Sequence, residues 1–393
     1  MLHFVFTLLC PSQIVSRAIL LFLAVCLTLS ARASFGSAPE SRVDARPPLR
    51  VIYVEGGEYE YYTGSLHGIF AGLQSAGIIR TLPESTVEDT RLIWRQAAAL
   101  SPEHIRFLPD GYYSAGWDPD QRRRNKEAIL TRIREKGDVD LILAMGTWAG
   151  VDMATDEHQT PVVVLATSDA YSAGIIKKTT ESGRPHVYAV VAPDWLPRQI
   201  VFFHKLFRFK RLGLTYDDSE DGRNAVGLNL LVHLSSILDF ELVSCADKFD
   251  IPDLEASYTR LLACHEKLAK ETDAMYVTAS SALLPQYIPS LVAPFAERGI
   301  PTFAQSTPEG VREGILLDIA QSAPESEGRF VAAAIVQILQ GVRPDQAQHL
   351  FEGDITISLN MDTARKIGWA PPFSLLQALD TLYMDQQARR YRK

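Results

Sequence analysis

Acids, small hydroxyls and aromatic residues gather just after the β-branched runs of this 393-residue chain. The stretches are Glu55-Gly56-Gly57-Glu58-Tyr59-Glu60-Tyr61-Tyr62, Thr147-Trp148, Thr167-Ser168-Asp169, Tyr216-Asp217-Asp218, Thr278-Ala279-Ser280-Ser281, Gln305-Ser306-Thr307 and Asp318. A single hydroxyl at a helix start is routine capping, so the recurrence is what points to a ligand. The chemistry these types support is reversible binding. Helix N-termini near Thr147, Ser281 and Ser306 can receive an anion, and Asp169 and Asp318 an ammonium. Tyr59, Tyr62, Trp148 and Tyr216 can hold an apolar or aromatic body, with cation-π attraction of roughly 0.5–2 kcal/mol. A buried charge without a partner costs several kcal/mol, so a cleft for a zwitterion needs both donors and acids. Tyr61 and Tyr62 read equally well as cover for the fold. Replacing Asp169 by Ala is expected to weaken ligand binding without unfolding the chain.

Other chemistries lack their residues. Ser168 and Ser281 have no G-x-S-x-G setting, and the nine histidines show neither H-x-x-x-H nor H-E-x-x-H spacing. There is no G-x-x-x-x-G-K-[ST] and no strand-turn-helix G-x-G-x-x-G. No enzyme activity, cofactor or metal is therefore expected, and an exported α/β enzyme is the lesser alternative. The formal charge of -8 argues against nucleic acid. The basic run Arg122-Arg123-Arg124 reads as the solvated opening of a helix.

The residues at the strand ends need a scaffold that brings them together. Ligands of open α/β sheets bind beyond the carboxyl ends of the strands, where loops converge. From Leu49 onward, short β-branched runs alternate with helical patterns, which argues for parallel sheets built from βαβ units. Strands are expected over Arg50–Val54, Ile105–Leu108, Leu141–Met145, Val162–Ala166, Val187–Val191, Leu212–Thr215, Glu241–Ser244, Ala274–Val277, Thr302–Ala304, Ile315–Ile319 and Asp354–Leu359. Helices are expected over Thr63–Ala76, Gln121–Lys136, Pro197–Phe207, Ala225–Leu238, Leu254–Thr272, Leu284–Arg298, Glu325–Leu339 and Phe373–Arg389. Gly64, Gly68 and Gly72 share one helix face, expected to pack on the first strand. The Pro-rich segment from Gly183 to Pro197 divides the strands into two sets. The expectation is an α/β fold of two Rossmann-like doubly wound lobes joined by hinge crossovers. Lobe 1 spans 49–191 with a return near 320–345, lobe 2 spans 192–318 with 350–370, and 371–393 forms a C-terminal helical tail.

Arg17, the apolar run Ala18–Leu29 and Ala31-Arg32-Ala33 have the order of a cleavable secretory signal, residues 1–33, followed by a linker over 34–48. Export would leave a chain of charge -10 and two cysteines, Cys245 and Cys264, which can bridge or stay as small buried hydrophobes.

The stretches Asp138 to Thr147, Pro161 to Val164 with Thr167-Ser168-Asp169 and Ala173-Gly174, and Arg211 to Tyr216 followed by Asn224 resemble the substrate-binding proteins of ABC transporters, of the tryptophan/aromatic amino acid type. Asp273 to Val277, Gly299 to Ala304, Gly341 to Pro344, Ile357 to Asn360 and Ala364 to Gly368 extend the resemblance, which covers roughly Leu49 to Gly368. It implies a type I periplasmic-binding fold that closes on a small solute, an amino acid or related compound, with an ABC permease as partner and a periplasmic, monomeric protein. Carried over by position, it implies ligand contacts at Thr147, Ser168, Asp169, Asn224, Thr278, Ser280, Gln305 and Asp318. Departures are the Glu- and Tyr-rich loop Glu55 to Tyr62, Trp148 where Pro is usual, and Tyr216-Asp217-Asp218 where Tyr-Asn-Pro is common. A ligand-sensing protein serving a membrane receptor would share the same fold and cleft.

Overall fold

Runs that are apolar on both faces become the central strands of two sheets. The computed structural model describes residues 47–393 apart from 85, 88, 101, 193, 194, 306, 307, 322, 385, 386 and 391–393. The expected signal segment, most of its linker, and Ser306 lie outside the described residues.

In chain order the first half contains β1 (Leu49–Glu55), α1 (Glu60–Ser75), α2 (Thr90–Ala98), β2 (Ile105–Ser114), α3 (Pro119–Glu135), β3 (Leu141–Met145), α4 (Gly146–Met153), β4 (Val162–Leu165) and β5 (Val187–Ala189). These strands form one all-parallel sheet in the order β2-β1-β3-β4-β5. Alternate residues of β1 feed opposite cores, as the strand period requires. Val51 and Tyr53 pack with Leu66, Phe70 and Trp94 on one face, and Ile52 and Val54 pack with Ile129, Ile142 and Val162 on the other.

The chain then crosses to a second sheet through α5 (Trp195–Phe207), β6 (Arg211–Asp217), α6 (Glu220–Ala225), α7 (Leu228–Leu238), β7 (Glu241–Asp247), α8 (Leu254–Glu271), β8 (Ala274–Val277), α9 (Ile288–Ala296), β9 (Thr302–Ala304), α10 (Pro308–Arg312) and β10 (Leu317–Gln321). Its parallel part runs β7-β6-β8-β9-β10 and repeats the winding of the first sheet. Its two cores centre on Leu212, Leu214, Tyr276 and Phe303 and on Leu261, Met275, Val277 and Leu291. The helix expected over Ala225–Leu238 is divided at Gly227, which takes φ of 64°, a conformation costly for residues with a Cβ.

The remaining chain is α11 (Pro324–Leu339), a 3₁₀ turn at Pro344–Gln346, β11 (Ile355–Asn360), α12 (Met361–Lys366), α13 (Phe373–Ala378), β12 (Thr381–Met384) and β13 (Gln387–Arg390). Helix α11 returns to the first sheet, placing Val331, Ala332 and Ile335 in the core around Tyr53. The glycine face of α1 meets α11, not the first strand as expected. A Cβ on Gly68 would lie 2.2 Å from the Glu325 carbonyl oxygen, and one on Gly72 would lie 2.4 Å from the Ala332 Cβ. Strand β11 then rejoins the second sheet antiparallel to β10. Two crossing segments run side by side, with Val191 N–H donating to the His349 carbonyl at 2.9 Å and Phe351 N–H to the Val191 carbonyl at 2.9 Å.

The expected C-terminal helical tail is overturned. Helix α13 stops after six residues, and β12 and β13 extend the second sheet. Asp380 sets the change: its N–H donates to the Ile357 carbonyl at 3.0 Å and its carboxylate accepts the Ile357 N–H at 2.9 Å. That leads β-favouring Thr381, Leu382 and Tyr383 onto the otherwise open edge of β11. Cys245 on β7 and Cys264 on α8 form a disulfide, with Cα atoms 5.7 Å apart. Among the described residues, no helix is long and apolar enough to cross a membrane.

Candidate functional site

The carboxyl ends of both sheets face one cavity of about 180 Å³. An apolar cavity of about 150 Å³ accepts a benzene ring, so this space suits a small solute. One wall comes from loops of the first sheet and is largely aromatic: Tyr59, Tyr61 and Tyr62 at the start of α1, Trp117 before α3, and Thr147 and Trp148 opening α4. The second sheet brings a polar wall of Asp221, Asp250, Ser280, Ser281 and Gln305. Crossing segments close the floor with Trp195, Gln199, Glu327 and Phe351.

Local structure explains the aromatic wall. Gly56 and Gly57 leave room for the Trp117 ring, since a Cβ on Gly57 would lie 2.5 Å from its Nε1. The Trp117 indole N–H donates to the Glu58 carbonyl at 3.1 Å, and its ring meets Trp148 edge-on at 5.5 Å. Tyr59 and Tyr62 make a second T-shaped pair at 5.3 Å. The Tyr62 hydroxyl rests against Gly146, where φ is 83° and a Cβ would sit 1.9 Å away.

The polar wall is held by its own hydrogen bonds. Asp217 accepts from the N–H groups of Phe249 at 2.9 Å and Asp250 at 3.1 Å. Asp250 in turn accepts the Ser281 N–H at 3.1 Å. Burial, with the neighbouring Asp217 charge, pushes the Asp250 carboxyl up to about 6. Gln305 donates to the Ala225 carbonyl at 2.9 Å and accepts the Ala279 N–H at 3.0 Å. Gln199 donates to the carbonyls of Gln305 at 2.8 Å and Ile319 at 2.9 Å, and accepts from the Tyr276 hydroxyl at 2.6 Å.

Glu327 is the buried acid at the floor, 6% exposed. Its Oε1 accepts the Ala166 N–H at 3.1 Å, while Oε2 has no hydrogen-bond partner among the described residues. Burial raises its pKa, offset by Ala166 and the nearby Tyr61 hydroxyl.

Tyr59, Tyr62, Thr147, Trp148, Ser168, Ser280 and Gln305 line the cavity, while six other expected contacts do not. Glu55 is buried in the first lobe and accepts the hydroxyls of Tyr53 at 2.7 Å, Tyr112 at 2.7 Å and Thr90 at 3.0 Å. Asp169 caps its own turn, accepting the N–H groups of Tyr171 at 3.0 Å and Ser172 at 2.9 Å. Thr278 hydrogen-bonds Thr215 inside the second sheet. Tyr216 packs against that sheet's core. Asn224 lies on α6, whose cavity-facing residues are Asp221 and Ala225. Asp318 is fully buried in β10, and burial holds its carboxyl well above the usual range. Arg122 is not a solvated surface residue either. It pairs with Asp152 at 2.7 Å and with Asp221, and lies 4.6 Å over the Trp148 ring. Among the described residues, no cluster of His, Cys, Asp and Glu is arranged to hold a metal.

Sequence reasoning missed Trp117, Trp195, Asp221, Asp250, Glu327 and Phe351. The signal for Trp117 was its place in the turn Gly116-Trp117-Asp118. Glu327 had none, because a Glu in a first helical turn is ordinary dipole complementarity.

Two doubly wound lobes, linked by repeated crossings and facing one cleft, define the type I periplasmic-binding fold. Residues 114–378 match the model of the ABC transporter substrate binding protein family, and the chain belongs to that family. Among solved structures, a conserved domain protein from Vibrio cholerae is similar over 85% of this chain and 99% of its own, at TM-score 0.65 and 16% identity. An ABC domain in complex with L-Trp from Streptococcus pneumonia is similar over 84% of this chain and 99% of its own, at 0.63 and 17%. A ligand-free, open substrate binding protein with adhesive properties from Clostridium difficile is similar over 84% and 98%, at 0.54 and 17%. No curated protein matches the chain.

Proposed function

We propose that this protein is the periplasmic solute-binding component of an ABC importer, capturing an amino acid or related small compound between its lobes and presenting the closed form to a permease. The observation that carries this reading is the cavity itself, built half from aromatic loops of one sheet and half from polar loops of the other. A solute touching both walls favours the closed arrangement, and the transporter reads that arrangement. The segment 1–33 would direct export, the protein would act as a monomer, and no bond is made or broken.

A thermal-shift screen of the exported form against amino acids, amines and other small solutes tests it. Ligand at about 100 times its Kd adds roughly 2.7 kcal/mol of stability. A specific shift supports the reading. No shift across the panel, together with turnover of any compound, overturns it.

A further inference from the structure

Resting on the reading of the cleft as a solute site, we infer that its preferred solute is an organic ammonium cation with an aromatic or apolar body and no carboxylate, its charged head received by Glu327. Seven aromatic side chains line the cavity, and among its described lining residues there is no Lys, Arg or His. The nearest guanidinium, Arg122, is committed to Asp152 and Asp221. The charged side chains that do line the space are Asp221, Asp250 and Glu327, all acids.

Three backbone donors at the strand ends that could receive a carboxylate are already used by the chain's own groups. Ala166 N–H binds Glu327, Ser281 N–H binds Asp250 and Ala279 N–H binds the Gln305 side-chain amide oxygen. A solute carboxylate would have to displace these bonds, two of them while lying close to the acids Glu327 and Asp250, and like charges at short range disfavour it. An ammonium gains instead. The Glu327 Oε2 is buried and unpartnered among the described residues, and so are the hydroxyl oxygens of Thr167, on the cavity wall, and Tyr188 in β5. Partners for such buried atoms are the rule in native proteins. An ammonium at Oε2 would give the unpartnered oxygen of this buried carboxylate, whose other oxygen already accepts the Ala166 N–H, a charge-assisted hydrogen bond. The rings of Tyr59, Trp117 and Trp148 supply faces that attract a cation and cover its apolar body. The starts of α1, α4 and α11, none of which has a side-chain cap, are the helix ends at the cavity still open to an anion, and α1 and α11 carry acids in their first turns.

Calorimetric titration of the unmodified protein with phenethylamine, tyramine and tryptamine, beside phenylalanine, tyrosine and tryptophan and beside the N-acetylated amines, separates these chemistries. At least one amine is expected to bind at least tenfold more tightly than both its amino acid and its uncharged amide. Glu327→Gln keeps an oxygen for the Ala166 N–H and should weaken that amine tenfold or more. Tighter binding of the amino acids would place a carboxylate in the cleft and overturn the inference while leaving the solute-binding reading intact. An amine that binds as well after acetylation overturns it too, without relying on the variant. Binding only of anionic or sugar-like solutes in the wider thermal screen also overturns it, whereas silence across that whole screen fails the solute-binding reading itself.

Discussion

Arg122 on α3 of the first lobe and Asp221 on α6 of the second form an ion pair across the mouth of the cleft. Asp152 holds the other edge of the same guanidinium, and the Trp148 ring lies beneath it. The pair therefore ties closure of the lobes to the wall that touches solute. Both side chains are about one-fifth exposed (19% and 18%), so solvent screens the pair only in part.

Asp221→Asn should loosen that tie. A contribution of about 1 kcal/mol is at the upper end for accessible ion pairs and corresponds to about a fivefold loss of solute affinity. Small-angle scattering of the unliganded variant should show a larger radius of gyration than the parent. Identical scattering would mean that the pair does not bias closure.

Asp169→Ala is expected to act on stability, contrary to what the strand-end rule alone implies. The carboxylate caps two backbone N–H groups in its own turn and does not line the cavity. Loss of such a cap costs about 1 kcal/mol. Denaturant unfolding should show that decrease, with calorimetric affinity within twofold of the parent.

Reduction of Cys245–Cys264 should destabilise the second lobe. The bridge joins the edge strand β7 to α8 across 19 residues of sequence, a loop for which chain-entropy arguments give roughly 3 kcal/mol. Calorimetric scans with and without a reductant should differ by several degrees in Tm. An unchanged Tm, with free thiols verified, would count against a stabilising bridge.

Asp250 makes the unliganded protein sensitive to pH. Its carboxyl titrates near about 6, above its ordinary 3.8, because the folded protein buries it beside Asp217. Folding then takes up protons in that window, so this group's contribution to stability falls as pH rises from about 4 to about 6. Asp250→Asn keeps an acceptor for the Ser281 N–H and removes the titration. Urea midpoints at pH 4.5 and 7.5 should show the variant gaining on the parent at the higher pH, and parallel profiles would contradict this.

Strand positions were readable because apolar period and length decide them: Leu141–Met145 and Val162–Leu165 are apolar on both faces and buried. The tail was misread because Phe373–Ala378 does begin a helix, and only the long-range pairing of Asp380 with Ile357 redirects it. The site was legible where side chains stand directly on strand-end loops, as at Thr147, Ser168 and Ser280. It was hidden where hydrogen bonds turn a residue inward, as at Glu55 and Thr278, or where a crossing segment supplies it, as with Glu327 and Phe351. Neither a side chain's partner nor the meeting of segments 161 residues apart, as for Ala166 and Glu327, is encoded in local pattern.

Three of the five tryptophans, Trp117, Trp148 and Trp195, line the cavity, while Trp94 is buried in a core and Trp369 packs on Phe207. A tryptophan-fluorescence titration with the solute that gives the largest thermal shift therefore tests most directly whether that solute sits between the lobes. The prediction is a saturable emission change whose midpoint matches the calorimetric Kd and which is largely lost in the Trp117→Phe/Trp148→Phe double variant. Binding that stabilises the protein yet leaves emission unchanged would contradict a solute held in this cleft.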